Sequence, residues 1–192
     1  MTGIVLIGGR SKRFGKDKVL EHIGSKLLLE HVIDTIGPLF EHIILIGHPR
    51  KDLSSYHIIE DIIPERGPLG GILTALHTTP TQYCFVFAAD MPNLNPEFIR
   101  YMISCAGEHD IIVPVWSKGR EPLHAIYHSR IKSIVRSLLD QNIYRIYDLF
   151  QQTSVLKIPE EKISEFGSPR QMFANINTPY DAQSFQKYGR HN

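Results

Sequence analysis

The sequence has few cysteines and little net charge, and each shortage argues against a class of protein. Its 192 residues include 2 cysteines and carry a formal net charge of +1. Cys84 and Cys105 are too few and too far apart for a disulfide framework or a cysteine zinc site, so we interpret both as buried thiols. The small net charge argues against a general nucleic-acid-binding protein, and we expect no nucleic-acid partner.

Long hydrophobic runs are missing as well. The opening segment MTGIVLIGG has no basic region before its apolar residues, and glycine ends the run, so it predicts neither a signal peptide nor a membrane span. We therefore expect a cytoplasmic protein with no membrane partner. A hydrophobic fraction of 42% over this length suffices for one full core, which predicts a single domain over residues 1–192.

Short apolar segments that suit buried strands alternate with helical patterns along the chain. These segments cover residues 3–7, 42–46, 83–87, 110–115, 124–127 and 153–158, and residues 57–60 suit another short strand. Such alternation predicts an α/β fold with a doubly wound, mostly parallel sheet and helices on both faces.

Helix starts and helix faces can also be predicted. Asn95 before Pro96, and Thr178 before Pro179, pair a capping side chain with proline at the first helical position, so a helix should begin at each point. The first helix is amphipathic, and its pattern leaves His31 on the face exposed to water.

The segment LIGGRSKRFGKDK, residues 6–18, joins a glycine pair to five cations and one acid. Gly8 and Gly9 have no Cβ, so a phosphate or base can lie against their main chain. The interval from Gly9 to Gly15 is one residue too long for a P-loop, Asp17 stands where that motif needs Ser or Thr, and no GxGxxG follows the first strand. The segment therefore predicts a triphosphate site of another type.

This segment resembles the GGxSxRMGxDK signature of nucleotidyltransferases, and most closely that of the molybdenum cofactor guanylyltransferases. Four further segments resemble motifs of that family in the same order: GPLGG at 67–71, AADMPNL at 88–94, EPLHAIYH at 121–128 and NINTPYD at 175–181. The resemblance spans nearly the whole chain. It implies a Rossmann-like nucleotidyltransferase fold.

The resemblance also implies an activity. GMP would be transferred from Mg-GTP to molybdopterin that carries molybdenum, with release of pyrophosphate and formation of the guanine dinucleotide cofactor. GTP and molybdopterin are then the substrates, Mg²⁺ is the cofactor, and proteins that deliver the finished cofactor are candidate partners. The alternatives are a cytidylyltransferase or other nucleotidyltransferase of this fold with a different phosphate acceptor, and a nucleotide-binding module without catalysis.

Besides Phe14, which replaces the methionine of the signature, two residues depart from the guanylyl pattern of the family. Guanylyl relatives carry LAGG at the first turn, whereas this chain has LIGG, so Ile7 replaces a small alanine near the base. Ile46 stands at the end of the second predicted strand, where relatives often carry asparagine. Both departures concern the choice of base more than the type of reaction.

Asp90 is the predicted metal ligand. It follows an apolar strand, and a carboxylate at the carboxyl end of a central strand is well placed to help hold Mg²⁺ with triphosphate oxygens and waters. A turn-forming aspartate is the alternative interpretation. The resemblance implies that Arg13, Lys18 and Asp90 form the catalytic set, with both cations on the phosphates.

The resemblance implies further contacts with the nucleotide and the acceptor. The nucleotide contacts are Leu6, Ile7, Gly8, Gly9, Lys18, Asp61 and Asp90. Surface solvation is the alternative for Asp61.

Asn175 and Asn177, expected beside the exit of the final strand, are implied to face the pterin phosphate or the metal. Local helix capping is their alternative interpretation. His124 could touch the acceptor, and a core or surface histidine with its hydrogen bonds satisfied is the rival interpretation.

Overall fold

The structure, a computed structural model, describes residues 1–8 and 18–188. The strands in this part are β1 (Thr2–Leu6), β2 (His22–Ile23), β3 (Lys26–Leu27), β4 (Ile43–Ile46), β5 (Ile58–Ile59), β6 (Tyr83–Ala88), β7 (Ile111–Trp116), β8 (Gly119–Arg120), β9 (His124–His128) and β10 (Val155–Pro159). The α-helices are α1 (Leu28–Ile36), α2 (Gly67–Thr78), α3 (Pro96–Ser104), α4 (Lys132–Asp140), α5 (Ile146–Phe150), α6 (Glu160–Ser164), α7 (Pro169–Met172) and α8 (Pro179–Tyr188).

The main sheet has the strand order β10-β7-β9-β6-β1-β4-β5, and β8 pairs with β7. The pairs β1 with β4, β1 with β6, β4 with β5 and β7 with β10 are parallel. Strand β9 runs antiparallel to both β6 and β7. The mostly parallel sheet is thus confirmed, and the long predicted strands agree with the structure to within two residues at each end.

Helices cover both faces of the sheet, as predicted. Successive residues of β6 point to opposite faces, so Phe85 and Phe87 enter one core while Cys84 and Val86 enter the other. Helices α1 and α3 pack on the phenylalanine side, and α2, α4 and α5 pack on the other side. Both faces are therefore buried, which explains why the central strands are apolar at consecutive positions.

The predicted caps of α3 and α8 are confirmed. The Asn95 side chain accepts a hydrogen bond from the Phe98 amide at 2.9 Å. At the start of α8 the Thr178 hydroxyl accepts from the Asp181 amide at 3.1 Å, while the Asp181 carboxylate accepts from the Thr178 amide at 2.8 Å. This reciprocal arrangement is a capping box.

The expectation that His31 faces water is wrong. Its side chain is buried, its Nε2 lies 3.0 Å from the Ile23 carbonyl, and its ring meets Phe185 edge-on. The short hairpin of β2 and β3 and the helix α8 cover this side of α1 with a small separate core that includes Ile23, Leu28 and Ile176. The helical pattern cannot reveal this cover because it comes from distant parts of the chain.

The two cysteines differ. Cys84 is buried, and burial raises the pKa of its thiol to about 12. Cys105 lies only half-buried at the end of α3, so its expected burial is wrong in degree. Within the described ranges, no helix combines the length and the hydropathy that a membrane crossing needs.

Candidate active site

One edge of the sheet collects most of the predicted site residues. Strands β1, β4, β5 and β6 are parallel and end at this edge, and β9, which runs the other way, begins there with His124 paired to Phe87. Ligands of open α/β sheets bind outside the carboxyl ends of the strands. The loops that leave these strands therefore lie where a ligand is expected.

The structure brings Gly8 and Asp61 together. A Cβ placed on Gly8 would lie 3.8 Å from Asp61 Oδ2, although the two residues leave different strands. Gly8 itself is exposed. The main chain at the first turn is therefore open to a ligand and has a carboxylate beside it.

Gly47, just after β4, fixes the shape of this turn and was missed by the sequence reasoning. Its φ of +145° lies in a region that favours glycine, and a Cβ there would lie 2.8 Å from the Gly8 amide nitrogen. Any side chain at position 47 would thus push against the backbone of Gly8. Glycine ahead of a polar loop was the only signal in the sequence.

Asp61 is half-buried rather than fully solvated. Burial raises the pKa of its carboxyl, and the Thr74 hydroxyl and the charge of His48 act against that rise. A half-buried carboxylate beside an open glycine turn can meet a ligand with little loss of its own solvation. The predicted nucleotide contact at Asp61 is compatible with this position.

The turn that contains Asp90 is hydrogen-bonded both to the end of β1 and to the segment before α8. The Ala89 amide donates to the Leu6 carbonyl at 3.3 Å, which holds the turn after β6 against the end of β1. The Asp90 carbonyl accepts from the Ile176 amide at 2.9 Å, which holds the chain before α8 against the same turn. Asp90 is half-buried and belongs to a turn, so the turn-forming interpretation is compatible with its position.

The predicted contacts at Leu6 and Ile7 can involve only the main chain. Both side chains are buried, Leu6 toward α2 and Ile7 toward the opposite core. A Cβ on Gly71 would lie 3.0 Å from Leu6 Cδ2, so this glycine lets α2 pack closely on β1. At Gly70 a Cβ would lie 2.9 Å from Arg66 Cβ, so this glycine leaves room for the residue that caps the start of α2.

Ile46 is also part of the core. Its side chain is fully buried, and its carbonyl accepts a hydrogen bond from the Ile7 amide at 2.8 Å. Ile7, directly after β1, and Ile46, the last residue of β4, are therefore hydrogen-bonded neighbours. Neither side chain points into the open edge.

Three of the predicted site residues cannot be placed in full. Gly9 and Arg13 lie outside the described residues. Lys18 begins a short 3-10 helix, Lys18–Leu20, and its side chain lies outside the described part as well. The cationic part of the triphosphate loop therefore stays a prediction.

Arg50 is a cation that the sequence reasoning missed. Its Nη2 donates to the Ile7 carbonyl at 2.9 Å and its Nη1 donates to the His48 carbonyl at 2.7 Å. These bonds hold the guanidinium beside the end of β1, next to Gly8. The signal in the sequence was a basic residue in a loop that leaves a parallel strand.

Asn175 and Asn177 do not flank a strand, contrary to prediction. They belong to an extended segment between α7 and α8, because β10 ends well before this point and two short helices follow it. The Asn177 amide donates to the Asp181 carboxylate at 2.9 Å, which is the capping alternative for its backbone. Ile176, between them, is the residue bonded to Asp90, so both asparagines lie near the predicted metal ligand.

A cavity of about 340 Å³ opens beside this segment. It is lined by Trp116, Lys118, Glu121, Arg170, Phe173, Ala174, Asn175 and Asn177. The Trp116 indole donates to Glu121 Oε1 at 2.6 Å, and the Trp116 and Phe173 ring centroids lie 5.9 Å apart. The lining is mostly polar, with two cations, one carboxylate and two amides beside two rings that are themselves largely buried.

His124 lies behind the cavity and does not line it. Its ring is fully buried among Phe85, Phe87, Phe98 and Phe173, with centroid distances of 5.1 to 5.7 Å. Burial lowers the pKa of the imidazole to about 3. Among the described residues neither ring nitrogen has a hydrogen-bond partner, so the expectation of a satisfied core histidine is wrong on that point.

The mostly parallel sheet, the glycine turn and the aspartates at its carboxyl edge together define the chain as a nucleotidyltransferase. Residues 3–155 match the family described as MobA-like NTP transferase domain, and the chain belongs to that family.

Known relatives agree over the full length. A probable molybdenum cofactor guanylyltransferase of Natranaerobius thermophilus is 31% identical over 98% of this chain and 96% of its own. Another from Pyrococcus furiosus is 32% identical over 98% of this chain and 97% of its own.

Solved structures give the same result. The crystal structure of molybdopterin-guanine dinucleotide biosynthesis protein A from Archaeoglobus fulgidus is similar, with a TM-score of 0.83, 28% identity and 97% of each chain covered. A 2-C-methyl-D-erythritol 4-phosphate cytidylyltransferase from Thermus thermophilus shares the fold at 11% identity with a TM-score of 0.70, and covers 98% of both chains. The predicted fold and family are thus confirmed.

Proposed function

We propose that this protein transfers GMP from Mg-GTP to the terminal phosphate of molybdenum-bearing molybdopterin and releases pyrophosphate. The observation that carries the proposal is the place of Asp90. Its turn is bonded on one side to β1 next to the open glycine turn, and on the other side to the segment that lines the cavity. A nucleotide at the turn and an acceptor in the cavity would then meet at Asp90.

The nucleotide would lie on the main chain of Leu6, Ile7 and Gly8, with Asp61 beside it. The motif GGRSKRFGKDK, residues 8–18, would also place Gly9, Arg13 and Lys18 around the triphosphate. Arg50 would add a further cation next to Gly8. The names of the relatives support GTP as the nucleotide.

Asp90 would help to hold a divalent cation that is shared with the substrate, and Asp61 lies at the same edge of the sheet. Within residues 1–8 and 18–188 no group of three or more metal-binding side chains forms a complete site. Mg²⁺ is commonly held by one or two carboxylates together with phosphate oxygens and waters, and Asp90 offers such a carboxylate. When bound, the ion would neutralise the charge that develops on the triphosphate.

The residues of the chain would then position and neutralise the reactants. The acceptor phosphate is anionic near neutral pH, so it can attack the α-phosphorus without a strong base. The attacking oxygen and the pyrophosphate leaving group must lie in line, which is a task of positioning. Arg13 and Lys18 would stabilise the leaving phosphates, and Asn175 and Asn177 would face the acceptor.

This mechanism treats residues 1–192 as one catalytic domain. The glycine turn lies near the start of the chain, and the segment 174–177 lies near the end of the described part. Both contribute to the same edge through their contacts with the turn after β6. A protein that lacked either the glycine turn or the segment 174–177 would therefore lose the proposed site of one of the two substrates.

The test is incubation of the purified protein with molybdopterin, Mg²⁺ and each of the four nucleoside triphosphates. We expect pyrophosphate release with GTP alone and a product with the mass of the guanine dinucleotide cofactor. Turnover with CTP would replace the proposal with a cytidylyltransferase. GTP binding without pyrophosphate release would instead indicate a binding module.

A further inference from the structure

Glu121 is held in place from three directions in the cavity wall. Its amide donates to the Pro114 carbonyl at 3.1 Å, and its carbonyl accepts from the His124 amide at 3.0 Å. Its Oε1 accepts from the Trp116 indole at 2.6 Å. The main chain of Glu121 is thus held by two bonds and its carboxylate by one, so part of the ordering that ligand recognition requires is already present.

The same carboxylate keeps capacity for a ligand. An ionised carboxylate offers about four lone pairs on two oxygens, and the indole occupies one of them. In the part of the chain that the structure describes, no protein group donates to Oε2. Glu121 is half-buried, and burial raises the pKa of its carboxyl against the effects of the indole bond and Lys118. A partly desolvated acceptor of this kind gains most from a ligand with two donors.

The remaining cavity walls define the ligand further. Trp116 and Phe173 are largely buried and present only a small part of their rings to the cavity, so a ligand here is recognised mainly by polar groups. Lys118 and Arg170 line the same cavity and suit a phosphate on that ring. A volume of about 340 Å³ lies at the lower end of the range for small-molecule sites and is adequate for a bicyclic ring with a short substituent.

We propose that Glu121 accepts two hydrogen bonds from the 2-amino-4-oxopyrimidine edge of a pterin, one from the ring N–H and one from the exocyclic amino group. This inference rests on the proposed function and makes Glu121 a specificity-determining residue for the acceptor. Guanine carries the same edge, so a guanine nucleotide is the second source of this chemistry. The turn of Asp90 lies between the glycine turn and the cavity. We therefore assign the pyrimidine edge bound by Glu121 to the acceptor and not to the nucleotide.

A purely structural role for Glu121 predicts different behaviour. If the carboxylate only holds Trp116, then Glu121→Gln preserves the role, because the amide oxygen can still accept from the indole. If it reads the ring edge, the same variant places an amide donor where the pterin also donates. The glutamine would then favour lumazine, in which an oxo group replaces the 2-amino group.

The experiment compares 6-hydroxymethylpterin phosphate with 6-hydroxymethyllumazine phosphate on the wild type, Glu121→Gln and Glu97→Gln. Trp116 is the single tryptophan of the chain, so quenching of its fluorescence reports on the cavity, and calorimetry confirms the affinities. Glu97 is an exposed residue of α3 paired with Arg100, and it serves as the matched control. Circular dichroism verifies that each variant is folded.

We expect the wild type and Glu97→Gln to bind the pterin about 100-fold more tightly than the lumazine, since a site built for a donor rejects an analogue that lacks it. In Glu121→Gln this ratio should fall to about 1 or reverse. An unchanged ratio in Glu121→Gln overturns the inference. It is equally overturned if GTP, and not the pterin, quenches Trp116 and that quenching depends on Glu121.

The outcome separates this inference from the proposed function. If the wild type makes the guanylylated product while Glu121→Gln leaves the pterin-to-lumazine ratio unchanged, only the role of Glu121 is wrong. If neither pteridine binds and no triphosphate yields product with molybdopterin, the proposed function fails and the inference fails with it.

Discussion

The active edge has two halves that are built in different ways. The glycine half consists of Gly8, Gly47 and Asp61, where parallel strands end and main-chain atoms lie in the open or in close contact. The aromatic half consists of Trp116, Glu121 and Phe173, where side chains from distant segments enclose a cavity. Phosphate groups can be bound by main-chain amides and need little side-chain specificity, whereas a ring is recognised by surfaces and donors that only side chains supply.

The two halves meet at Asp90, so the largest expected effect is at this residue. If the proposed function holds, Asp90→Ala should lower the rate of GMP transfer about 1000-fold or more, because the metal and the triphosphate would both lose the carboxylate proposed to hold them. Pyrophosphate release at saturating GTP measures it. Asp140→Ala, at an exposed position of α4, is the control and should keep full activity. Retention of magnesium-dependent transfer by Asp90→Ala would place the metal elsewhere.

A somewhat smaller effect is expected in the predicted triphosphate loop. Lys18→Ala should reduce transition-state stabilisation by about 2 to 4 kcal/mol, as the loss of a preorganised charge does, and leave the fold intact. The ratio of kcat/KM values gives this quantity. Normal turnover in this variant would show that the cation does not act on the phosphates.

Gly47→Ala tests whether the glycine half depends on backbone shape. The added Cβ would lie 2.8 Å from the Gly8 amide, at a φ that side chains rarely adopt, so a destabilisation of about 1 to 3 kcal/mol is expected in urea unfolding. Gly37→Ala is the matched control, because its φ is −48° and no neighbour lies within 4 Å of the added carbon. Equal stability of the two variants would refute the proposed constraint.

The smallest expected effect concerns the pH dependence of stability behind the aromatic half. His124 has a folded pKa of about 3, below its ordinary value of 6.5, so the unfolded chain binds the proton first as pH falls. Its contribution to stability is complete above pH 6.5 and is lost toward pH 3.

For His124 alone, a loss of about 1 kcal/mol is expected between pH 6.5 and 5.5. Urea unfolding of wild type and His124→Leu measures it, and the variant should lack this part of the slope. His77 and His128 also have lowered pKa values, so the difference between the two proteins isolates the effect of His124. Parallel slopes in both proteins would contradict the assignment.

The fold was largely predictable because buried parallel strands are apolar on both faces. The apolar pattern did not indicate that β9 is antiparallel, because an antiparallel strand at the centre of this sheet is as apolar as its neighbours. Strands β2, β3 and β8 have two residues each, which is too short for any periodic pattern. The burial of His31 was not predicted because Phe185, which packs against its ring, lies near the other end of the chain.

The site was predictable where it depends on strand ends. Gly8, Asp61 and Asp90 each follow an apolar run, and parallel pairing brings such positions to one edge. The aromatic half was not predictable in the same way. Nothing local in the sequence connects Trp116 with Phe173. Those two residues become neighbours only through packing between β7 and the segment after α7.

The hydrogen bond from Ile176 to Asp90 has a consequence for protein engineering. The family match ends at residue 155, yet one wall of the cavity comes from the chain beyond it. A transplanted core that stops at the family boundary would keep the glycine turn and lose one wall of the cavity. If the acceptor binds in this cavity as proposed, an exchange of acceptor preference between relatives would need two segments moved together, residues 116–121 and 169–177.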